Sequence, residues 1–235
     1  MRIAKLSGAM FSIAIIAGVL GYQFNHHSHT PLIASDAAIN EVADKKLPPP
    51  NSLHRYSLDA AQSKFIAHAL AGGLLWFKGH DHLVAVRDFT GEARLDPGSL
   101  AVSSLEITAK SGSMVETSGV FTDAQKQIID KELREIVLEP DKYPEIVFRS
   151  TSVTGKAAGN NQYDLKIAGD LTLHGVTRAI TIPAKVTVTA NDLRAQGEFS
   201  IDRGDFKVKA TSAFHGLVRI RDKVKFEFDI VGHRL

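Results

Sequence analysis

Apolar and polar side chains alternate residue by residue over four long stretches of the chain. Leu165, Ile167, Leu171 and Leu173 alternate with Lys166, Asp170, Thr172 and His174. Ile180, Ile182, Ala184, Val186 and Val188 alternate with Thr181, Lys185, Thr187 and Thr189. Further on, Ala195, Gly197, Phe199 and Ile201 alternate with Gln196, Glu198, Ser200 and Asp202, and Val224, Phe226, Phe228 and Ile230 with Lys225, Glu227 and Asp229. Successive side chains of a strand face opposite sides, so a period of two predicts strands with one wet and one apolar face. Weaker versions run through Phe89 to Asp96, Ser103 to Lys110 and Ile146 to Val153. Asp96-Pro97-Gly98 and His174-Gly175-Val176-Thr177 read as turns between them. About eight strands or more follow.

One stretch has a different period. Ile129, Leu133, Ile136 and Val137 fall at i, i+4, i+7 and i+8, which predicts a helix over about 122–138 with Thr122 or Asp123 as N-cap. Asp130 with Arg134, and Lys131 with Glu135, are spaced as i,i+4 ion pairs, and Glu139-Pro140 stops the helix. A parallel sheet needs a helix between most strands, and here there is one. The fold class is therefore all-β: a closed antiparallel barrel of about eight strands carrying one inserted helix, closure leaving no exposed edge.

The N-terminal part divides into two pieces. Arg2 and Lys5 precede a charge-free run from Leu6 to Tyr22, the layout of an export signal. Residues 1–22 are read as a signal peptide, with Val19-Leu20-Gly21 before the cleavage point, or as a retained anchor touching the inner membrane through residues 6–22. Residues 23–52 read as a flexible linker ending in Pro48-Pro49-Pro50, which favours extended polyproline II. His26, His27 and His29 lie within it and are taken as solvated. The barrel domain occupies 53–235.

Composition removes several classes of function. Lys+Arg 28 against Asp+Glu 26 leaves a net charge of +2, without the basic excess that nucleic acid demands. Cys 0 excludes disulfides, thiolate metal sites and thiol catalysis. Neither G-x-S-x-G nor a Walker loop nor G-x-G-x-x-G occurs, so no nucleophile elbow or phosphate cradle is expected. Motif and spacing thus identify no catalytic residue and no cofactor site.

In a barrel of this size the inward side chains either fill the interior or leave room for one ligand, and periodicity is the same in both cases. Phe89, Phe148, Leu173, Phe199 and Phe226 fall on apolar strand faces, and Leu133 on the helix stripe. Phe65, Trp76, Phe77, Phe121, Phe206 and Phe214 belong to less clearly phased segments; all but Phe214 join the others as candidate lumen residues. His80 and His82 would share one face of a strand, giving two ligands toward a zinc or copper site, with His68, His174 and His215 as third ligands, or a polar contact for a ligand head group. Arg178 and Lys185 are further candidates for pairing with an anionic head, against the plainer reading of solvated strand charges.

Five short motifs, in order, resemble those of the YceI-like family. Gly169-Asp170-Leu171-Thr172-Leu173-His174-Gly175-Val176-Thr177-Arg178 is similar to its "GDLTLxGVT+" signature. Tyr56-Ser57-Leu58-Asp59 resembles the opening "Y-x-I/L-D", and Asp88-Phe89-Thr90-Gly91 the "F-x-G" strand. Lys142-Tyr143-Pro144-Glu145-Ile146, leading to Phe148-Arg149-Ser150-Thr151-Ser152, is similar to "KYPxxxFxSTS". Phe199-Ser200-Ile201-Asp202-Arg203-Gly204-Asp205-Phe206 resembles "F-x-I-x-R/K-x-D-F", so the resemblance covers about residues 54 to 232. It implies an exported lipocalin-like barrel with an elongated hydrophobic tunnel for polyisoprenoids or related long-chain amphiphiles, without catalysis. Two departures stand out. Gln127, Ile128, Ile129 and Asp130 replace the His-rich, Arg-containing helix of many relatives, and Gly79-His80-Asp81-His82 resembles a divergent branch.

The sequence thus predicts a periplasmic barrel, free or tethered, that sequesters or carries a polyisoprenoid, fatty acid or quinone-like lipid. Its rivals are a metal-binding protein or metalloenzyme built on His80 and His82, and a filled envelope barrel that meets a protein partner.

Overall fold

Residues 53–213, 215 and 217–235 are described in the computed structural model. The expectations for 1–22 and 23–52, the linker histidines and Phe214 lie outside the described residues. Thirteen strands follow in chain order: β1 His54–Ala69, β2 Ala71–Gly72, β3 His82–Val86, β4 Phe89–Leu95, β5 Ser104–Lys110, β6 Met114–Glu116, β7 Glu145–Gly159, β8 Gln162–Leu173, β9 Val176–Val188, β10 Asp192–Asp202, β11 Ser212–Ala213, β12 Val218–Ile220 and β13 Lys223–Arg234. Between β6 and β7 stands the helix α1, Asp123–Glu132, prolonged by a π-turn over Leu133–Val137.

Eight of the strands close a barrel in the order β1-β4-β5-β7-β8-β9-β10-β13, with β13 returning antiparallel onto β1. The four clearest alternations of the sequence are β8, β9, β10 and β13, whose apolar residues turn inward into a continuous core. Closure needs β1 to pair twice along one edge. Its first half, His54–Ser57, pairs with β4, and its second half, Ile66–Ala69, pairs with β3, which in turn carries β6. Between the halves, Ala60–Ser63 bulge away from β13. Asp59 organises the bulge: one carboxylate oxygen accepts from the Ala61 and Gln62 N–H groups at 2.8 and 3.2 Å. Such a bulge bends the strand and sharpens its twist, which a small barrel requires.

The register sets which connections share an end. Lys110 pairs with Glu145, Val147 with Thr172, Leu173 with Val176, Asp202 with Lys223, and His68 with Lys225. The segments that follow β1 and β10, and the α1 connection before β7, therefore all emerge at this upper end. There β11, β12 and β2 form a small separate sheet.

The helix starts as expected, at Thr122. Its hydroxyl accepts from the Gln125 N–H while the Gln125 side chain accepts from the Thr122 N–H, a complete capping box. Two expectations for the helix are corrected. Asp130 accepts from the Glu116 N–H at 2.8 Å instead of pairing with Arg134, whereas Lys131 and Glu135 do pair at 3.8 Å. The π-turn, closed by Leu138 N–H to Leu133 O at 2.8 Å, shifts the phase so that Leu133 and Val137 face the barrel and Ile136 is left exposed.

Candidate functional site

The inward faces of the eight strands do not meet in the middle. They enclose a cavity of about 260 Å³, far above the ~10–15 Å³ that one water needs. Its wall is mostly Leu, Ile, Val, Ala and Phe, from Leu95 and Leu193 at the lower end to Ile129, Leu133 and Ile220 at the upper end. Polar groups touch it only at the ends: Arg94, Ser103 and Ser104 below, and His82, Glu132, Arg203, Lys209 and Thr211 above.

Of the candidate lumen residues, Phe65, Leu133, Phe148, Leu173, Phe199 and Phe226 line the cavity. Phe199 and Phe226 are a cross-strand pair of β10 and β13, stacked with centroids 5.0 Å apart, and Phe65 meets Phe226 edge-on at 6.0 Å. This aromatic cluster forms one wall. Phe89 and Phe206 are buried in the core but not on the cavity surface. Trp76 and Phe77, expected inside, stand outside on a short 3₁₀ turn, Trp76–Lys78, that has no strand period to turn them inward. Phe121 is also outside the lumen, stacked on His82 at 5.0 Å and edge-on to His80 at 5.7 Å.

The head-group candidates separate in the same way. His82, first residue of β3, reaches the cavity and bonds to Glu116 through Nδ1 at 2.8 Å. Glu116 is a buried carboxylate that also accepts from the Leu83 and Ser118 N–H groups at 3.2 and 2.7 Å. Burial pushes its pKa up, but the bonds from His82, Ser118 and Leu83 outweigh it and hold the group below the usual carboxylate range. His80 is exposed. Arg178, exposed near the start of β9, pairs with Leu171 and so shares the side of the ladder that Leu171 and Ile180 turn to the lumen; it does not line the cavity and bonds its neighbour's carbonyl, Thr177 O, at 3.2 Å. Lys185, also exposed, reaches Asp164 at 3.3 Å.

Two rim residues carried no periodic signal. Arg203 sits where β10 ends; Nη1 donates to Val208 O at 2.8 Å and Nη2 to Asp222 at 2.6 Å, while Nε is buried without a protein partner. Lys209 lies on the irregular stretch that follows, and only its surroundings, not its spacing, place it on the rim. The Arg in the Phe199–Phe206 motif was the one available pointer to Arg203.

The third ligand that a metal at His80 and His82 would need is not brought to them. His174 is buried in the β8–β9 turn with Nε2 3.0 Å from Glu139, His68 lies 3.4 Å from Glu227, and His215 is exposed. Among the described residues no group of three or more His, Asp and Glu is placed to hold a metal ion.

A closed antiparallel barrel with an apolar interior and polar ends is the lipocalin-like class of architecture. Within it, residues 56–232 match the YceI-like domain, and the chain belongs to that family. Protein YceI of Escherichia coli O17:K52:H18 is 32% identical over 152 residues, covering 60% of this chain and 72% of the relative. The UPF0312 protein VPA0850 of Vibrio parahaemolyticus is 34% identical over 105 residues, 44% of this chain and 49% of that protein. Two solved structures share the fold. BcnA of Burkholderia cenocepacia superimposes with a TM-score of 0.58 at 22% identity, over 74% of this chain and 98% of that one. A domain from Saccharophagus degradans, described as polyisoprenoid-binding and implicated in plant cell wall breakdown, gives 0.55 at 14% identity, over 77% and 98%.

Proposed function

We propose that this chain is an exported, noncatalytic binding protein that takes the tail of a long-chain amphiphile, a polyisoprenoid, fatty acid or quinone-like lipid, into the barrel lumen. The observation that carries the reading is the apolar cavity of about 260 Å³ along the barrel, polar only at its ends. A close-packed core has no such space. Each methylene moved from water into it contributes about 0.8 kcal/mol of gross driving force, so selectivity rests on tail length and on the few rim groups. For the head these are His82 and the cations Arg203, Lys209 and Arg178, whose charges suit a phosphate or carboxylate. Polyisoprenoid binding by the Saccharophagus relative supports the ligand class, and Arg2 and Lys5 before the Leu6–Tyr22 run support export to the periplasm.

The test is native mass spectrometry of the full chain made in an exporting bacterial host, before and after solvent extraction. The expected result is an adduct of a few hundred daltons that extraction removes. A bare polypeptide mass in every preparation overturns the reading in favour of a filled barrel. A metal mass that survives extraction and disappears in His82→Ala overturns it in favour of metal binding.

A further inference from the structure

The upper end of the barrel carries a patch unlike the rest of the surface. Leu74, Trp76 and Phe77 are 76%, 57% and 63% exposed, and Leu217 stands beside them. The patch is built, not frayed: Leu75 N–H donates to Leu217 O at 2.9 Å, the turn closes by Gly79 N–H to Trp76 O at 3.0 Å, and the Trp76 and Phe77 rings meet edge-on at 6.4 Å. At Gly73, φ is +88° and an added Cβ would lie 2.5 Å from Leu217 O, so the crossing of these loops admits only glycine. Basic charge surrounds the patch. Over residues 70–82 and 203–223 there are seven Lys and Arg against three Asp, a local net of +4 in a chain whose total is +2. Arg219 and Arg221 line a cleft whose other wall is Trp76.

We propose that this end docks on an anionic phospholipid bilayer, with Leu74, Trp76 and Phe77 entering the interface and Lys78 and Arg219 meeting lipid phosphates. Indole and phenyl rings flanked by cations are the composition that settles at a headgroup boundary. A second copy is disfavoured by charge, because a two-fold contact would set the basic patch against itself. The patch also adjoins the lumen. Arg219 and Ile220 are consecutive on β12, so their side chains point to opposite faces; Arg219 lines the outer cleft and Ile220 the cavity. The docked barrel thus turns its rim, with Lys209 and Thr211, toward the membrane. That last step, loading or unloading at the bilayer, rests on the lipid-carrier reading; the docking does not.

Trp76 is the only tryptophan of the chain, so its emission reads this patch even though Leu6–Tyr22 can hold the full chain on vesicles independently. The full chain is mixed with phosphatidylglycerol-containing or pure phosphatidylcholine vesicles whose acyl chains are brominated. The expected result is a blue shift and quenching of Trp76 on the anionic vesicles, weakened by salt and on neutral ones. Lys78→Glu with Arg219→Glu is expected to lower the Trp76 response about tenfold or more, and so is Leu74→Ser with Phe77→Ser. An unquenched Trp76 on chains that sediment with vesicles overturns the proposal, as does equal quenching on neutral lipid. A concentration-dependent blue shift without vesicles assigns the patch to a second copy and overturns it too. A retained mass adduct with no Trp76 response removes docking alone; a full response with no adduct leaves docking standing and removes the cargo.

Discussion

His82 Nδ1 lies 2.8 Å from a carboxylate oxygen of Glu116, whose side chain is 0% exposed, and the pair joins the first residue of β3 to the last of β6 at the upper mouth of the lumen. The other carboxylate oxygen takes two backbone N–H groups, so this buried charge is fully bonded. Glu116→Gln is expected to cost about 2 kcal/mol near pH 7, the worth of charged hydrogen bonds lost in a buried setting. The folded-state pKa is depressed, so the stabilisation is complete above the ordinary glutamate value and is lost as pH falls through the lowered one. Urea unfolding should therefore show a gap between wild type and variant that closes below about pH 4. A gap independent of pH would refute the charged state.

A second histidine acts in the opposite direction. His233, near the end of β13, has Nδ1 2.8 Å from Asp192 and Nε2 3.2 Å from Asp59, the residue that shapes the β1 bulge. The bonds to Asp192 and then Asp59 raise its pKa above the ordinary 6.5. A raised pKa stabilises fully below the unfolded value and is lost as pH rises through the folded one. The melting temperature is expected to fall as pH rises above about 6.5, and His233→Asn should flatten that limb. Equal slopes in the two proteins would assign the fall to other groups.

The turn of the GDLTLHGVT motif is set by backbone geometry. His174 and Gly175 have φ of +51° and +72°, and Leu173 faces Val176, the two-residue hairpin whose twist matches its strands. A Cβ on Gly175 would lie 2.8 Å from the Tyr143 ring, which also packs on His174 with centroids 4.1 Å apart. Gly175→Ala is expected to cost about 2 kcal/mol, combining φ strain with that clash. In the double variant with Tyr143→Ala, the clash is removed and the strain stays. Equilibrium unfolding of the four proteins of the cycle should show a coupling of about 1 kcal/mol, and strict additivity would exclude the clash.

What was legible from sequence followed the regularity of each element. Period two placed β8, β9, β10 and β13 and, through them, Phe199 and Phe226 on the lumen wall, because a strand fixes the side of every residue once one is fixed. The Thr122 cap was legible because capping depends on local chemistry. Trp76, Phe77 and Phe206 were not, since 3₁₀ turns of three or four residues are too short to carry a period. Glu116 was invisible for a related reason: a lone carboxylate closing a three-residue strand looks exposed until His82 and α1 fold over it. His174 looked like one more residue of a wet face. It is buried because the chain turns there, and Glu139, itself at a positive φ, comes round to bond it.

The hollow interior separates this barrel from a filled one, and a single substitution distinguishes them. Ala195, on β10 beside Val186 of β9 and Ile230 of β13, lines the cavity with a small side chain. Ala195→Trp sends an indole into space already open, so no neighbour must leave its rotamer, and the loss of stability is expected to stay below about 1 kcal/mol. The same indole displaces whatever occupies the lumen, so the mass adduct of the wild type should vanish while the far-UV spectrum and unfolding midpoint hold. A close-packed interior gives the reverse pattern: the substitution then costs about 3 kcal/mol or more through forced side-chain and backbone shifts, and there is no adduct to lose. Native mass spectrometry and urea unfolding on one pair of proteins thus decide together whether the Leu, Ile and Phe faces surround a ligand or only each other.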